Sequence, residues 1–222
     1  MSTRTADYVE AVDHLPQGAS LVIHDLSWDD YERLLAGRPE RPHLRISYDC
    51  GKLEVMSPLP EHEAYARFID RVVGACAKLL NLTVESYGGA TWKRRSLARG
   101  VEPDACYYVA SADRIIGKSP IDLEFDPPPD VVVEIDITNE SLSRFPIYGA
   151  LSVREIWRYD GKQVQFYELI GGQYHGLLAS RSFPGLTPAM LAGALEQSKA
   201  EGQTAALRAF RQRWPASQMP ER

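Results

Sequence analysis

The sequence predicts an α/β fold in which a mixed β-sheet is flanked by helices and extended by an antiparallel meander. Three observations carry this. Asp130-Val131-Val132-Val133-Glu134-Ile135-Asp136-Ile137 alternates with period two, as a strand does. Over 61–80 the apolar positions Tyr65, Phe68, Ile69, Val72, Cys76, Leu79 and Leu80 recur at i, i+3, i+4, the stripe of an amphipathic helix. Between 154 and 179, three strand-like runs are separated by Asp160-Gly161 and Gly171-Gly172, pairs that turn a chain back on itself.

The other elements follow in order. The first twenty residues show no strong period and read as an arm. Ser27-Trp28-Asp29-Asp30-Tyr31-Glu32 then gives a capped helix start. Residues 44–48 and 52–56 alternate on either side of Asp49-Cys50-Gly51, a hairpin with glycine where left-handed backbone is needed, and Glu54 lies on its second strand. The helix over 61–80 ends at Asn81, and residues 82–87 and 90–94 form a second hairpin through Gly88-Gly89. Pro103-Asp104 opens a further strand, Ala105-Cys106-Tyr107-Tyr108-Val109. An irregular insertion over 111–129 closes on Pro127-Pro128-Pro129, which cannot lie inside a sheet. A short helix over 142–151 carries Pro146 and so is bent there or begins there. Thr187-Pro188 is an N-cap with proline at the first helical position, opening one or two helices up to Trp214. The chain thus divides into an N-terminal arm and short helix (1–43), a core domain (44–191) and a C-terminal helical tail (192–222).

With 222 residues and 44% hydrophobic content, the chain can bury a full core. It holds no run of 18 apolar residues and no basic, apolar leader, so neither a membrane span nor a signal peptide is expected, and the cytoplasm is the expected compartment. Cys50, Cys76 and Cys106 are odd in number, widely spaced and without a C-x-x-C, which argues against a disulfide framework or a zinc site. The net charge of −5 argues against an unselective nucleic-acid coat but says little about a local groove.

The alternation at 130–137 places Glu134 and Asp136 on one side of a strand, attached about 6.6 Å apart at ~3.3 Å rise per residue. Like charges that close repel unless a cation lies between them. Mg²⁺ suits such a pair: it takes oxygen ligands, keeps several waters and is held by one or two carboxylates plus substrate phosphates. Asp104 could complete the set. The competing reading is that Glu134 and Asp136 face solvent on a half-exposed sheet.

The order helix, hairpin, Pro-Asp strand, Glu-x-Asp strand, helix, strand resembles the PD-(D/E)XK nuclease superfamily, and within it the bacterial Uma family of restriction-endonuclease-like proteins. The resemblance spans about 44–191. It rests on Gly51-Lys52-Leu53-Glu54-Val55-Met56-Ser57-Pro58, His62, Glu102-Pro103-Asp104, the run 127–138, Ile147-Tyr148 and the run 153–161. It implies a restriction-endonuclease-like fold, phosphodiester hydrolysis with Mg²⁺ or Mn²⁺, DNA as substrate and frequent homodimers. Asp104 and Glu134 match the metal-binding acids, and Glu54 an additional acid before the long helix. The superfamily's lysine, two positions after the second acid, is Asp136 here. That replaces a cation by an anion, which removes help to the attacking water unless Asp136 is itself a ligand. Arg144 matches a position where the Uma pattern usually carries lysine; arginine can steady a phosphate but is a poor base.

His62 could contact a phosphate or orient an acid, against the plainer reading of a structural histidine. Lys93, Arg94 and Arg95, with Arg99, form a compact basic cluster upstream of Asp104 and are candidates for substrate binding, with Trp92 able to stack on a base; a solvated charge run is the alternative. A glycosidase would also use two carboxylates, about 5 to 9.5 Å apart across a cleft, but has no need of the Pro-Asp strand. Two functions therefore stand: a divalent-metal-dependent endonuclease, and an inactive nuclease-like module that binds nucleic acid or a protein partner.

Overall fold

Every residue from Val131 to Ile135 is buried, and the rest of the fold is arranged around this strand. The structure, a computed structural model, describes residues 11–12, 14–37, 44–137 and 142–214. In chain order its elements are β1 (Ser20–Ile23), α1 (Trp28–Gly37), β2 (Arg45–Asp49), β3 (Lys52–Met56), α2 (Pro60–Leu80), β4 (Glu85–Ser86), β5 (Trp92–Arg94), β6 (Arg99–Val101), β7 (Ala105–Tyr108) and β8 (Val131–Ile135). There follow α3 (Phe145–Ala150), β9 (Glu155–Tyr159), β10 (Val164–Ile170), β11 (Gln173–Leu177), α4 (Pro188–Glu201) and α5 (Gln203–Arg213). Among the described residues the strands make two sheets: β1-β3-β2-β6-β5, antiparallel throughout, and β11-β10-β9-β8-β7-β4, in which β8 and β9 run parallel. The second is the predicted mixed sheet, and β9 to β11 are its meander.

Local signals set the helix ends. Pro60 starts α2 where no intrahelical N–H is required, and Asn81, in left-handed backbone at φ 52°, stops it by returning its N–H to Ala77 O. Thr187 caps α4 by accepting from Met190 N at 3.2 Å. Pro146 lies in the first turn of α3, after a 3-10 turn at Leu142–Arg144, so this helix begins at Phe145 with the proline as its second residue.

The mixed sheet is covered on both faces. Val131, Val133 and Ile135 pack against Phe68 and Val72 of α2 and Leu191, Leu195 and Leu207 of the terminal helices. Val132 meets Cys106, Tyr108, Ile147, Tyr148 and Ile156 on the other side. Glu134 shares that second side and is 1% exposed, which removes the solvent-facing reading. The five-stranded sheet carries its own core, with Ile46, Tyr48, Leu53 and Val55 against Tyr31 and Leu34 of α1. A Cβ on Gly100 of β6 would lie 2.2 Å from the Tyr31 hydroxyl, so a glycine is needed for α1 to seat.

The second predicted hairpin does not form. β4 pairs with β7 and β5 with β6, so the segments on either side of Gly88-Gly89 enter different sheets. Tyr87 and Trp92 both pack edge-on against Tyr108, at 5.7 Å between centroids in each case, and this tertiary contact replaces pairing with each other.

Candidate active site

Pro103 cannot donate to a ladder, so strand pairing begins just after it, at the edge where Asp104 stands. Asp104 N donates to Val133 O at 3.1 Å, and Asp104 Oδ2 accepts from Ile135 N at 2.8 Å. The antiparallel register Ala105↔Val133, continued by one residue, sets Asp104 directly across from Glu134. Opposed residues have Cβ atoms about 4.5–5.5 Å apart, so two carboxylates from adjacent strands share one buried pocket.

Each acid is held by an arginine. Glu134 Oε2 accepts from Arg144 Nη1 at 2.7 Å, while its other oxygen bonds the Tyr148 hydroxyl. Arg144 Nη2 also lies 3.7 Å from Met56 Sδ. Asp104 Oδ1 faces Arg45 Nε at 3.3 Å, and Arg45 in turn pairs with Glu63 on α2. Burial pushes the Glu134 carboxyl up to about 8; Arg144 opposes this, and the nearby charges of Asp104 and Asp136 add to it. Burial likewise raises Asp104, against the pull of Arg45. Arg144 and Arg45 remain charged, since their acid neighbours outweigh the cost of burial.

His62, in the first turn of α2, is fully buried. Burial depresses its pKa; Asp104 and Asp136 pull it back up, while Arg45 and Arg144 push it further down. The imidazole is therefore neutral at pH 7 and lies within the field of all four charges. Asp136 turns to pair with Arg158 of β9, whose backbone stands opposite Glu134. Glu54, half-buried on β3, adds to the negative field around Arg144.

Asp104, Glu134, Arg144 and His62 are thus brought together, with Asp136 and Glu54 at the margin. Lys93, Arg94 and Arg95 are not brought to them. Lys93 pairs with Glu32 at 2.8 Å, Arg95 with Asp29 at 2.7 Å, and Arg94 donates to Leu123 O at 2.7 Å. They serve to dock α1 and the 120–124 loop. Trp92 is buried and donates to Cys106 Sγ at 3.2 Å, which leaves no face for a base. Among the described residues no three His, Cys, Asp or Glu side chains are grouped so as to enclose an ion.

Sequence reasoning missed Tyr148, Arg45 and Glu63. Tyr148 had a signal, since it stands four residues after Arg144, the spacing at which neighbours on a helix meet. Arg45 alternates with Leu44 and Ile46, but nothing local says that its side of β2 is covered.

No helix among the described residues is long and apolar enough to cross a membrane. A search of the curated proteins finds no match. The structure is similar to the crystal structure of a protein described as "a putative nuclease belonging to DUF820" from Anabaena variabilis ATCC 29413. The TM-score is 0.53 at 16% identity, over 75% of this chain and 97% of that one. Residues 28–196 match the Uma2 family, described as "Putative restriction endonuclease". With that span matched and the nuclease-like fold in place, the chain belongs to the Uma2 family.

Proposed function

We propose that the protein is a divalent-metal-dependent endonuclease that hydrolyses phosphodiester bonds in DNA at the pocket of Asp104 and Glu134. The observation that carries this reading is the pair itself: two buried carboxylates, opposed on adjacent strands, each with raised proton affinity. A fold has little structural use for like charges placed so. The donor set fits Mg²⁺ or Mn²⁺, because Asp104 Oδ1 accepts no hydrogen bond despite its burial and one or two carboxylates suffice for such an ion. Asp104 and Glu134 would hold it. When bound, a divalent ion lowers the pKa of water and stabilises charge developing on the phosphate.

The chain's own groups do the rest. Arg144 fixes the Glu134 carboxylate and supplies the positive charge that a lysine two positions after Glu134 would otherwise bring. Neutral His62 offers a ring nitrogen to the phosphate or to a neighbouring acid. Arg158 holds the buried Asp136 carboxylate beside the pocket, and Glu54 balances Arg144. A two-fold homodimer would present two such pockets to the two strands of a duplex; light scattering at the mass of two chains is the expected result.

The competing reading, a nuclease-like module that binds without cutting, is favoured by the arginine already paired to each acid. Incubation of plasmid and single-stranded DNA with Mn²⁺ separates the two. Cleavage that disappears in Asp104→Asn and Glu134→Gln supports the enzyme. Wild-type protein that neither cleaves nor gains thermal stability from Mn²⁺ sinks it and leaves the binding module.

A further inference from the structure

The two arginines of the pocket are not equivalent. Arg144 has one carboxylate partner, Glu134, and is enclosed by Tyr148 and Met56. Arg45, on a strand of the other sheet, stands between two carboxylates: Asp104 on one side, at 3.3 Å from Nε, and Glu63 on the other. Beside it opens a small polar cleft of about 130 Å³, lined by Glu63, Arg67, Asp70, Gly89 and Asp104. At roughly 30 Å³ per water, that is space for about four waters. Gly89 keeps the cleft open: a Cβ there would lie 3.0 Å from Arg45 Cζ and 3.0 Å from Pro103 O. Glu63 is 30% exposed, so the cleft reaches solvent on that side, whereas Asp104 is buried behind the guanidinium.

We propose that Arg45 is an exchangeable counter-ion, neutralising Asp104 when no metal is bound and passing to Glu63 when a divalent cation takes Asp104. The inference rests on the metal-site reading above. The geometry gives the guanidinium a second carboxylate within reach, so giving up Asp104 does not leave a buried charge unpaired, the event that makes breaking a buried ion pair costly. It also gives the ion a wet route to Asp104 that does not pass Glu134. Arg45 therefore competes with the cation, and Glu63 sets how strongly.

The test is thermal unfolding of the full chain titrated with Mn²⁺, with no substrate and no cleavage measured. Removing the competitor in Arg45→Met should lower the melting temperature without metal and reduce the Mn²⁺ concentration for half-maximal stabilisation by at least about fivefold, the low end of typical couplings between sites. Glu63→Gln, at a partly exposed position that should not impair folding, removes the alternative partner. It should raise that concentration by a similar factor. The double variant Arg45→Met with Glu63→Gln should match Arg45→Met alone, because Glu63 acts only through Arg45. Wild-type protein stabilised by Mn²⁺, with Glu63→Gln responding at an unchanged concentration, overturns the exchange and leaves the metal site standing. Wild-type protein indifferent to Mn²⁺ overturns both.

Discussion

The two ends of β8 both carry buried carboxylates, and they differ in what satisfies them. At the start of the strand Asp130 accepts from Val109 N at 2.8 Å and Ser111 N at 2.9 Å. Glu155, on the neighbouring parallel strand, accepts from Trp157 Nε1 at 2.6 Å and from the backbone N–H groups of Arg181 and Ser182, each at 3.1 Å. Apart from Trp157 of β9, these partners are backbone groups of loops, so the two acids act as clasps. At the far end Glu134 and Asp104 are met by guanidinium groups, a tyrosine hydroxyl and the Ile135 N–H, with one carboxylate oxygen left without a hydrogen bond. Burial alone does not decide how a carboxylate is satisfied. What separates the ends is charge: neutral N–H groups satisfy Asp130 and Glu155, whereas a guanidinium stands against each of Glu134 and Asp104.

The sharpest way to break this distinction is Glu134→Ala. It leaves Arg144 buried without its carboxylate, so we expect a loss of about 3–5 kcal/mol in stability together with loss of Mn²⁺-dependent cleavage. Adding Arg144→Met should restore much of the stability and none of the cleavage, as urea unfolding and a plasmid assay would show.

At the other end, Asp130→Ala strands two backbone N–H groups at about 1–3 kcal/mol each. The variant should melt earlier but cleave normally per folded molecule. Loss of cleavage in fully folded Asp130→Ala would erase the difference between the two ends.

A pH series sharpens it further. Asp104 and Glu134 hold their protons to higher pH in the folded chain than unfolded carboxyls do, Glu134 to about 8. The folded state therefore binds more protons than the unfolded one between about pH 4.5 and 8, and the metal-free protein should lose stability as pH rises through that window. Stabilisation by Mn²⁺, which requires ionised ligands, should grow over the same range. Glu134→Gln should flatten both trends; a slope unchanged in that variant would place the titration elsewhere.

The smallest effect belongs to Lys93→Ala. Its pair with Glu32 is partly exposed, 40% at the lysine, so less than about 1 kcal/mol is at stake. DNA affinity measured by anisotropy should hardly move; a large drop would return the basic cluster to the substrate path.

Much of this was legible along the chain. The period of α2 and its Asn81 stop, the Thr187-Pro188 cap, the glycine turns of the meander and the alternation of β8 each depend on neighbours within a few residues, so local sequence suffices. Asp104 and Glu134 were legible as a pair for the same reason, through the proline that opens one strand and the valines that carry the other. Reading Glu134 as solvent-facing was possible because alternation reports two sides of a strand without saying what covers each.

The sequence by itself therefore determined the helices, the strands of the mixed sheet and the pairing of Asp104 with Glu134, but not β1, β6 or the five-stranded antiparallel sheet they complete. Tertiary structure alone decided that Gly88-Gly89 parts two sheets instead of closing a hairpin, that Lys93, Arg94 and Arg95 are spent on docking α1 and the 120–124 loop, and that Arg45 comes from the other sheet to face Asp104. The reason is physical: period and capping are local, whereas the partner of a charge is set by burial and by residues tens of positions away, as with Arg45 and Asp104.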